Sequence, residues 1–251
     1  MPLRRLIFDL RTRLSSDPSL FWLYQPYIWW DQIKSGLRYG AQDAREHRLR
    51  ADTELVIDGF QGSANSYAAD LFKSWQTRDV AMSHHMHAAA QIVRAVRRDL
   101  PTVVTIREPA QAVLSTTARW PHLDVAQVLR GYVAFYRALL PVADGIVLSP
   151  FDRTIHDFGG VVADVNVRFG TAFATGTAVA GMAVTGDGAS ADVEAIRAAR
   201  KATNPEQERR RAEKQADLDS KAALLAQANA VYAALIDACG VTPPPVPTPT
   251  S

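Results

Sequence analysis

A chain of 251 residues with 47% apolar content can bury the core of one large domain, and its formal net charge of +2 predicts no nucleic-acid partner. The single cysteine, Cys239, excludes an intramolecular disulfide and a cysteine-built zinc site. No stretch approaches the roughly 18 apolar residues of a membrane span. The basic start lacks the apolar core of a secretory signal, so we expect a cytoplasmic protein.

The N-terminal segment, residues 1–50, is predicted to be helical and rich in aromatic residues. Between residues 3 and 14, apolar side chains recur at helical spacing, namely Leu3, Ile7, Leu10 and Leu14. Residues 20–30 read LFWLYQPYIWW and concentrate Trp and Tyr. Such a segment either packs on the core or on a second subunit, as a homodimer contact, or lies on a membrane surface. A membrane-peripheral location therefore stays open beside the cytoplasmic one.

Strand and helix patterns alternate after residue 50. Short apolar and β-branched runs predict buried strands at 54–58, 79–85, 102–106 and 144–151. Helical spacing between and after them predicts helices at 67–75, 88–99, 110–119 and 124–140. This alternation favours an α/β fold with three layers, in which helices flank a mostly parallel sheet.

The C-terminal third has a different composition. Residues 171–203 are small and flexible and suit a loop or lid. Residues 204–238 are predicted to form one long helix or two, with a charged, solvated first half and an apolar second half that docks on the core. Residues 241–251 form a Pro-rich tail predicted to be disordered. The α/β domain is thus expected to span residues 51–240.

The first predicted strand ends in a loop of small residues, within ELVIDGFQGSANSY at 54–67. A strand that runs through such a loop into a helix aims backbone N–H groups and the positive helix end at one point, where an anion can bind. The loop lacks the Lys of the nucleoside triphosphate motif G-x-x-x-x-G-K-(S/T). A plain turn before a helix is the alternative. The candidate anion-binding residues are Gly62, Ser63, Ala64, Asn65 and Ser66.

A second candidate anion site follows the third predicted strand, within TVVTIREPAQAVLS at 102–115. Arg107 comes directly after the strand, and Ser115 lies in the next helix, so the two side chains can grip one anion from two sides. Open parallel sheets bind ligands at the carboxyl ends of their strands, where both loops are expected. The alternative for Arg107 is a surface ion pair, for example with Glu108.

Because of these two loops, residues 53–170 resemble the sulfotransferase family. Its members are P-loop-like α/β proteins that use 3′-phosphoadenosine 5′-phosphosulfate as co-substrate. The family's first loop reads Pro-(Lys/Arg)-Ser-Gly-(Thr/Asn)-(Thr/Ser), and residues 61–66 stand in those places. Its second motif, Arg-x-Pro with a Ser eight residues after the Arg, is matched by REPAQAVLS. The resemblance implies a fold like that of P-loop nucleoside triphosphate hydrolases. It also implies that Arg107 and Ser115 bind the 3′-phosphate and that Ser63 to Ser66 bind the 5′-phosphosulfate.

Three histidines, His84, His85 and His87, cluster in SHHMHAAA before the second motif. A metal site, a structural role and a general base are all open, although no nearby carboxylate completes a metal set and no metal is expected. The family resemblance implies a His base at the end of this strand. His85, 22 residues before Arg107, is the first choice, with His84 and His87 as further candidates.

Gly62 stands where the family has a Lys or Arg that stabilises the departing phosphate. Candidate replacements are Lys73, Arg200, Lys201 and Arg209–Arg211. The hydroxyls of Ser63 and Ser66, together with backbone donors, are the other candidates for this catalytic role. The expected function is sulfuryl transfer to a hydroxyl of a small-molecule, lipid or glycan acceptor. Two alternatives remain: a weak or inactive nucleotide-binding interaction protein of the same fold, and a P-loop kinase-like enzyme.

Overall fold

The structure, a computed structural model, describes residues 2–39, 45–176, 183–184, 190–191 and 205–241. The α/β fold expected from the sequence is confirmed, because four strands form an all-parallel sheet that is flanked by helices. The strands are β1 (Leu55–Gly59), β2 (Met82–His84), β3 (Thr102–Ile106) and β4 (Val147–Pro150). Two further short strands, β5 (Ala183–Val184) and β6 (Ser190–Ala191), pair with each other in antiparallel fashion.

Ten α-helices are described in these parts of the chain. They are α1 (Pro2–Ser16), α2 (Phe21–Tyr39), α3 (Asn65–Trp75), α4 (Ala89–Val96), α5 (Pro109–Arg119), α6 (Val125–Arg137), α7 (Phe151–His156), α8 (Phe158–Phe169), α9 (Pro205–Asp219) and α10 (Ala222–Ala238). A 3-10 turn at Leu140–Gly145 follows α6, so the predicted helix at 124–140 ends earlier than expected. Among these helices, none has the length and apolar character needed to cross a membrane.

The sheet has the strand order β2-β1-β3-β4. Ile57 of β1 pairs with His84 on one side and with Val103 on the other, and Val104 of β3 pairs with Leu148 of β4. The chain therefore leaves β1 toward one edge of the sheet and later returns to the opposite side of β1. In open parallel sheets, the crevice at such a reversal of strand order is the usual ligand site.

Hydrophobic clusters cover both faces of the sheet. Because side chains alternate along a strand, Val103 of β3 joins a cluster with α3 and α8, whereas Val104 joins a cluster with α4, α5, α6 and α10. Every residue of the four strands is buried. This explains why the strand sequences read as continuous apolar runs, as the sequence analysis expected.

The N- and C-terminal helices pack around this sheet. On α2, Phe21, Tyr24 and Ile28 pack against a cluster that includes Met86 and Ala88, next to the start of α4. The apolar helix α10 docks through buried side chains including Leu235.

The charged helix α9 also contacts the core, contrary to the expectation that its half of the segment is only solvated. Leu218 is buried, and Arg211 donates a hydrogen bond to Gln111 of α5. The predicted tail from 242 onward and most of the predicted lid at 171–203 lie outside the described residues.

Candidate functional site

An open pocket of about 430 Å³ lies at the carboxyl ends of β1 and β3. Its position is the crevice where the strand order reverses, which is where ligands bind in open parallel sheets. Pockets of this volume are typical for small-molecule ligands. Most of the residues selected from the sequence line it, namely Gly62, Ala64, Asn65, Ser66, His85, His87, Arg107 and Ser115. Ser63 and His84 do not line this pocket.

The first loop runs from β1 into α3 through two residues with left-handed backbone. Gly62 has a φ of 84° and Ala64 has a φ of 67°. The buried hydroxyl of Tyr136 holds the loop, since it accepts a hydrogen bond from the N–H of Phe60 and donates one to the carbonyl of Thr105 on β3. Helix α3 then begins at Asn65, and its first N–H groups have no partner within the helix. The helix start therefore presents donors and a positive dipole end to the pocket.

Gly62 is closely packed against helix α5. A Cβ atom at this position would lie 3.0 Å from the carbonyl oxygen of Ala112 and 3.3 Å from the Cβ of Ser115. A side chain at Gly62 would therefore need both an unfavourable φ and a shift of α5. A Lys or Arg at this position would therefore meet both backbone strain and close contacts with α5.

Two loop residues turn their side chains away from the ligand side. Ser63 is fully buried, and its hydroxyl lies 3.2 Å from that of Tyr136. Asn65 donates hydrogen bonds to the carbonyls of Gly59 and Phe60 and accepts one from Thr105. Both side chains shape the loop, and Asn65 offers the pocket its backbone at the start of α3. Their small polar character alone did not distinguish this role from ligand contact.

Arg107 enters the pocket from the end of β3 and pairs with no carboxylate of the described residues. Its Nη1 donates to the carbonyl of Gly62 at 3.3 Å, and its guanidinium lies over the ring of Phe151 at 3.8 Å. Its Nε is buried without a hydrogen-bond partner, and no ion pair involves it among the described residues. Burial, together with the nearby Arg211, lowers the pKa of Arg107 to about 10, so the group stays charged at neutral pH. The alternative for Arg107, an ion pair with Glu108, is not formed.

Several pocket residues were missed by the sequence analysis. Arg119 lies one helical turn after Ser115 on α5 and lines the same pocket, as do Trp120, Phe151 and Gln61. The Oε1 atom of Gln61 is a second buried polar atom with no hydrogen-bond partner in the described parts of the chain. No acidic side chain of the described residues lines the pocket. The i,i+4 spacing from Ser115 is the signal that would have identified Arg119.

His84 belongs to a buried ionic cluster beside the pocket. Its Nε2 lies 2.5 Å from Oε2 of Glu46, which also accepts a hydrogen bond from Lys73. Burial lowers the pKa of His84 despite the hydrogen bond to Glu46. Lys73 is thus engaged with Glu46 and does not line the pocket. It does not replace the missing loop cation.

His85 links this cluster to the pocket, and its hydrogen bonds indicate which ring nitrogen carries the proton. Because the Glu46 carboxylate only accepts, a neutral His84 donates from Nε2 and accepts at Nδ1 from Nδ1–H of His85. Nε2 of His85 then accepts from the hydroxyl of Ser66, at 2.5 Å. Burial and the neighbouring His84 lower the pKa of His85. Both ring nitrogens of His85 are therefore occupied.

His87 presents a different arrangement. Its Nδ1 lies 2.8 Å from the carbonyl oxygen of Gly59 and 3.1 Å from Nδ2 of Asn65. Because Asn65 directs its two amide hydrogens to the carbonyls of Gly59 and Phe60, we assign the ring proton to Nδ1 and the lone pair to Nε2. Burial lowers the pKa of His87 to about 4, and no hydrogen bond occupies Nε2 among the described residues. Asp58, whose pKa burial raises to about 7, accepts from the backbone N–H of His87. The ring is held neutral, with one nitrogen available as a base.

The remaining candidate cations lie on α9 or outside the described residues. Arg209 and Arg210 pair with Glu206 on α9, whereas Arg211 bonds Gln111 near Arg107. Residues 200 and 201 lie outside the described residues. Within the described chain, no group of three or more His, Cys, Asp or Glu is arranged to hold a metal ion.

The pocket thus combines the cations Arg107 and Arg119, a helix N-terminus and a neutral histidine, a set that can attract an anion and accept a proton beside it. Comparison with models of protein families, with curated proteins and with solved structures finds no match.

Proposed function

We propose that the protein is a sulfotransferase, which transfers a sulfuryl group from 3′-phosphoadenosine 5′-phosphosulfate to a hydroxyl of a small-molecule, lipid or glycan acceptor. The proposal rests on the environment of Arg107. A charged, partly buried guanidinium with an unpartnered Nε faces a pocket that has no acidic lining residue among the described parts of the chain. A buried charge is costly without a partner, so the site is built for an anion.

The phosphate groups of the donor are matched by two parts of the pocket. Arg107 and Ser115 lie on one wall and are assigned to the 3′-phosphate. The backbone N–H groups at the start of α3, including that of Ser66, are assigned to the 5′-phosphosulfate. Binding there requires no cationic side chain in the loop, because backbone dipoles carry the attraction.

His87 is assigned as the general base, in preference to His85. The acceptor hydroxyl gives its proton to Nε2 of His87, and its oxygen attacks sulfur. The bond from sulfur to the bridging phosphate oxygen breaks, and that oxygen leaves with the electron pair on 3′-phosphoadenosine 5′-phosphate. A bound polyanion raises the pKa of a nearby His, which strengthens a base whose pKa is about 4 in the free protein.

The negative charge that grows on the leaving oxygen needs a donor, and Gly62 supplies none. Arg119 is the pocket cation assigned to this role, because it lines the pocket and is in no ion pair among the described residues. It is also close enough to His87 to lower the pKa of that ring. Loss of one aimed donor typically costs on the order of 100- to 1,000-fold in kcat.

The first experiment is calorimetric titration with 3′-phosphoadenosine 5′-phosphate. We expect Arg107→Met to weaken binding about 10- to 100-fold, because a hydrogen bond to a charged group contributes about 1.5–3 kcal/mol. Arg168→Met is the matched control, since Arg168 also lies over a Phe ring, that of Phe169, but outside the pocket. Absence of binding by the unmodified protein overturns the proposal, and tight Mg²⁺-dependent ATP binding favours the kinase-like alternative.

The second experiment measures turnover of the sulfuryl donor with a panel of hydroxyl acceptors. His87→Gln and Arg119→Met should lower kcat while leaving affinity for 3′-phosphoadenosine 5′-phosphate within a few-fold. His85→Gln should have the smaller effect on kcat, because both of its nitrogens are occupied. Nucleotide binding without turnover for any acceptor would point to the non-catalytic interaction protein instead.

A further inference from the structure

The two N-terminal helices expose an unusual amount of apolar surface. Ten large apolar side chains are exposed among the described residues, and nine of them lie on α1 and α2. Three are tryptophans, and the exposed fractions reach 68% at Trp22 and 86% at Leu37. We name these nine the N-terminal apolar face: Leu6, Ile7, Leu10, Trp22, Leu23, Trp29, Trp30, Ile33 and Leu37. Along each helix most of these side chains recur at i,i+3 or i,i+4 spacing and are therefore neighbours, and clustered exposed apolar side chains are typical of an interaction site.

Both helices turn their apolar side outward. On α1, Phe8 and Thr12 pack toward Gly131 of α6, whereas Leu6 and Leu10 lie on the opposite side of the helix. On α2, Phe21, Tyr24 and Ile28 are buried, and the exposed tryptophans follow the other side of the helix. A surface helix normally directs its polar side to solvent. The reversal on two adjacent helices means that this face is built for a non-aqueous neighbour.

The charge around the face indicates which neighbour that is. Helices α1 and α2 carry six basic and two acidic side chains in their sequences. Arg13 and Lys34 are exposed next to the apolar side chains of their helices, whereas Arg5 pairs with Asp124 on the other side of α1. Exposed Trp and Leu flanked by basic side chains are suited to the interface of a membrane with anionic lipids. Two copies of the same basic face would bring like charges together, which disfavours self-association.

We propose that the N-terminal apolar face binds the surface of an anionic phospholipid bilayer. The helices lie along the bilayer, with Trp22, Trp29 and Trp30 in the headgroup region and the basic side chains near lipid phosphates. The face does not include the pocket residues, so the inference stands independently of the proposed reaction.

The test is vesicle sedimentation with the full chain, using vesicles of phosphatidylcholine and phosphatidylglycerol in equal parts and vesicles of phosphatidylcholine alone. We expect binding to the anionic vesicles and a blue shift of tryptophan emission. The double substitution Trp29→Ser with Trp30→Ser should reduce the partition coefficient at least tenfold. Val167→Ser, at an exposed apolar residue on α8, is the matched control and should leave it unchanged.

The outcomes are distinct. Failure to bind anionic vesicles overturns the proposal, as does equal binding to phosphatidylcholine alone, or equal binding by the double variant. A dimer in analytical ultracentrifugation that the double variant abolishes, with no vesicle binding, assigns the face to a second copy of the chain instead. Urea unfolding of the double variant checks that it is folded. Both tryptophans are exposed, so we expect its unfolding free energy to stay close to that of the unmodified protein.

Discussion

The left-handed backbone of the first loop predicts opposite effects for two small substitutions. Ala64 has a φ of 67° and a ψ of 23°, a conformation that costs an L-residue with a Cβ roughly 1–2 kcal/mol. Ala64→Gly removes this strain but adds about 0.4–1 kcal/mol of backbone entropy in the unfolded chain. We therefore expect Ala64→Gly to raise the unfolding free energy by about 0.5–1 kcal/mol.

Gly62→Ala should act in the opposite direction. At a φ of 84° it introduces the same strain, and its Cβ would lie 3.0 Å from the carbonyl oxygen of Ala112. Overpacking of this kind typically costs about 1–3 kcal/mol. With the entropy gain subtracted, we expect a loss of about 2–3 kcal/mol. Gly170→Ala is the control, because Gly170 has a φ of 65° and nothing within 4 Å of its Cβ position.

The assay is urea unfolding of the three variants and the unmodified protein, followed by circular dichroism. The difference between the Gly62→Ala and Gly170→Ala values measures the contact with α5 separately from backbone strain. The reasoning is refuted if Ala64→Gly lowers the unfolding free energy, or if Gly62→Ala costs no more than Gly170→Ala. Either result would show that the loop does not hold its backbone against α5 in this way.

Three further predictions concern stability and are all measured by urea unfolding. Burial lowers the pKa of His87 to about 4, below its unfolded value of about 6.5, so the unfolded state takes up the proton first and the protein loses stability as pH falls below about 6.5. Burial raises the pKa of Asp58 to about 7, above its unfolded value of about 3.9, so the folded state takes up the proton first and the protein gains stability as pH falls below about 7. Each variant removes one of these two effects. When pH is lowered from 7 to 5, the unfolding free energy of His87→Gln should therefore rise by about 2 kcal/mol relative to that of the unmodified protein, and that of Asp58→Asn should fall by about 2 kcal/mol. If the two differences changed with pH in the same direction, this prediction would be contradicted. Glu46→Gln should lower the unfolding free energy by about 1–3 kcal/mol, because Glu46 is a partly buried carboxylate that accepts two hydrogen bonds. Glu54→Gln, at a more exposed ion pair, should lower it by less than about 1 kcal/mol. Equal losses for the two variants would argue against the buried cluster. Asp124→Ala should cost about 1 kcal/mol because its carboxylate caps α6, and Asp124→Asn, which keeps a capping oxygen, should cost clearly less.

The strands and the pocket position were predictable because they depend on local patterns. TVVTI is β-branched and apolar, and it forms β3 at the predicted residues, with Arg107 directly after it. Since the carboxyl ends of parallel strands share one edge of a sheet, the loops after β1 and β3 were expected to meet there. They do meet, and Arg107 and Ser115 line one pocket with the start of α3.

The direction of individual side chains was not predictable from those patterns. Ser63 and Ser66 are both small loop hydroxyls, yet Ser63 is buried beside Tyr136, which is 73 residues away in the chain, and Ser66 lies at the pocket. The three histidines share one short segment, yet each has a different hydrogen-bond partner, namely Glu46 for His84, Ser66 for His85 and the carbonyl of Gly59 for His87. These partners come from other elements, so sequence spacing does not specify them.

The sequence by itself determined the parallel α/β architecture and the two loops of the candidate site, because periodicity and chain order are sufficient for both. Only the tertiary structure decided that Gly62 packs closely against α5. It also decided that, among the described residues, Arg107 has no anionic partner and Nε2 of His87 has no hydrogen bond. It also decided that α1 and α2 direct their apolar sides outward. Each of these depends on close contacts, or on their absence, between segments that are distant in the chain, and packing alone brings such segments together.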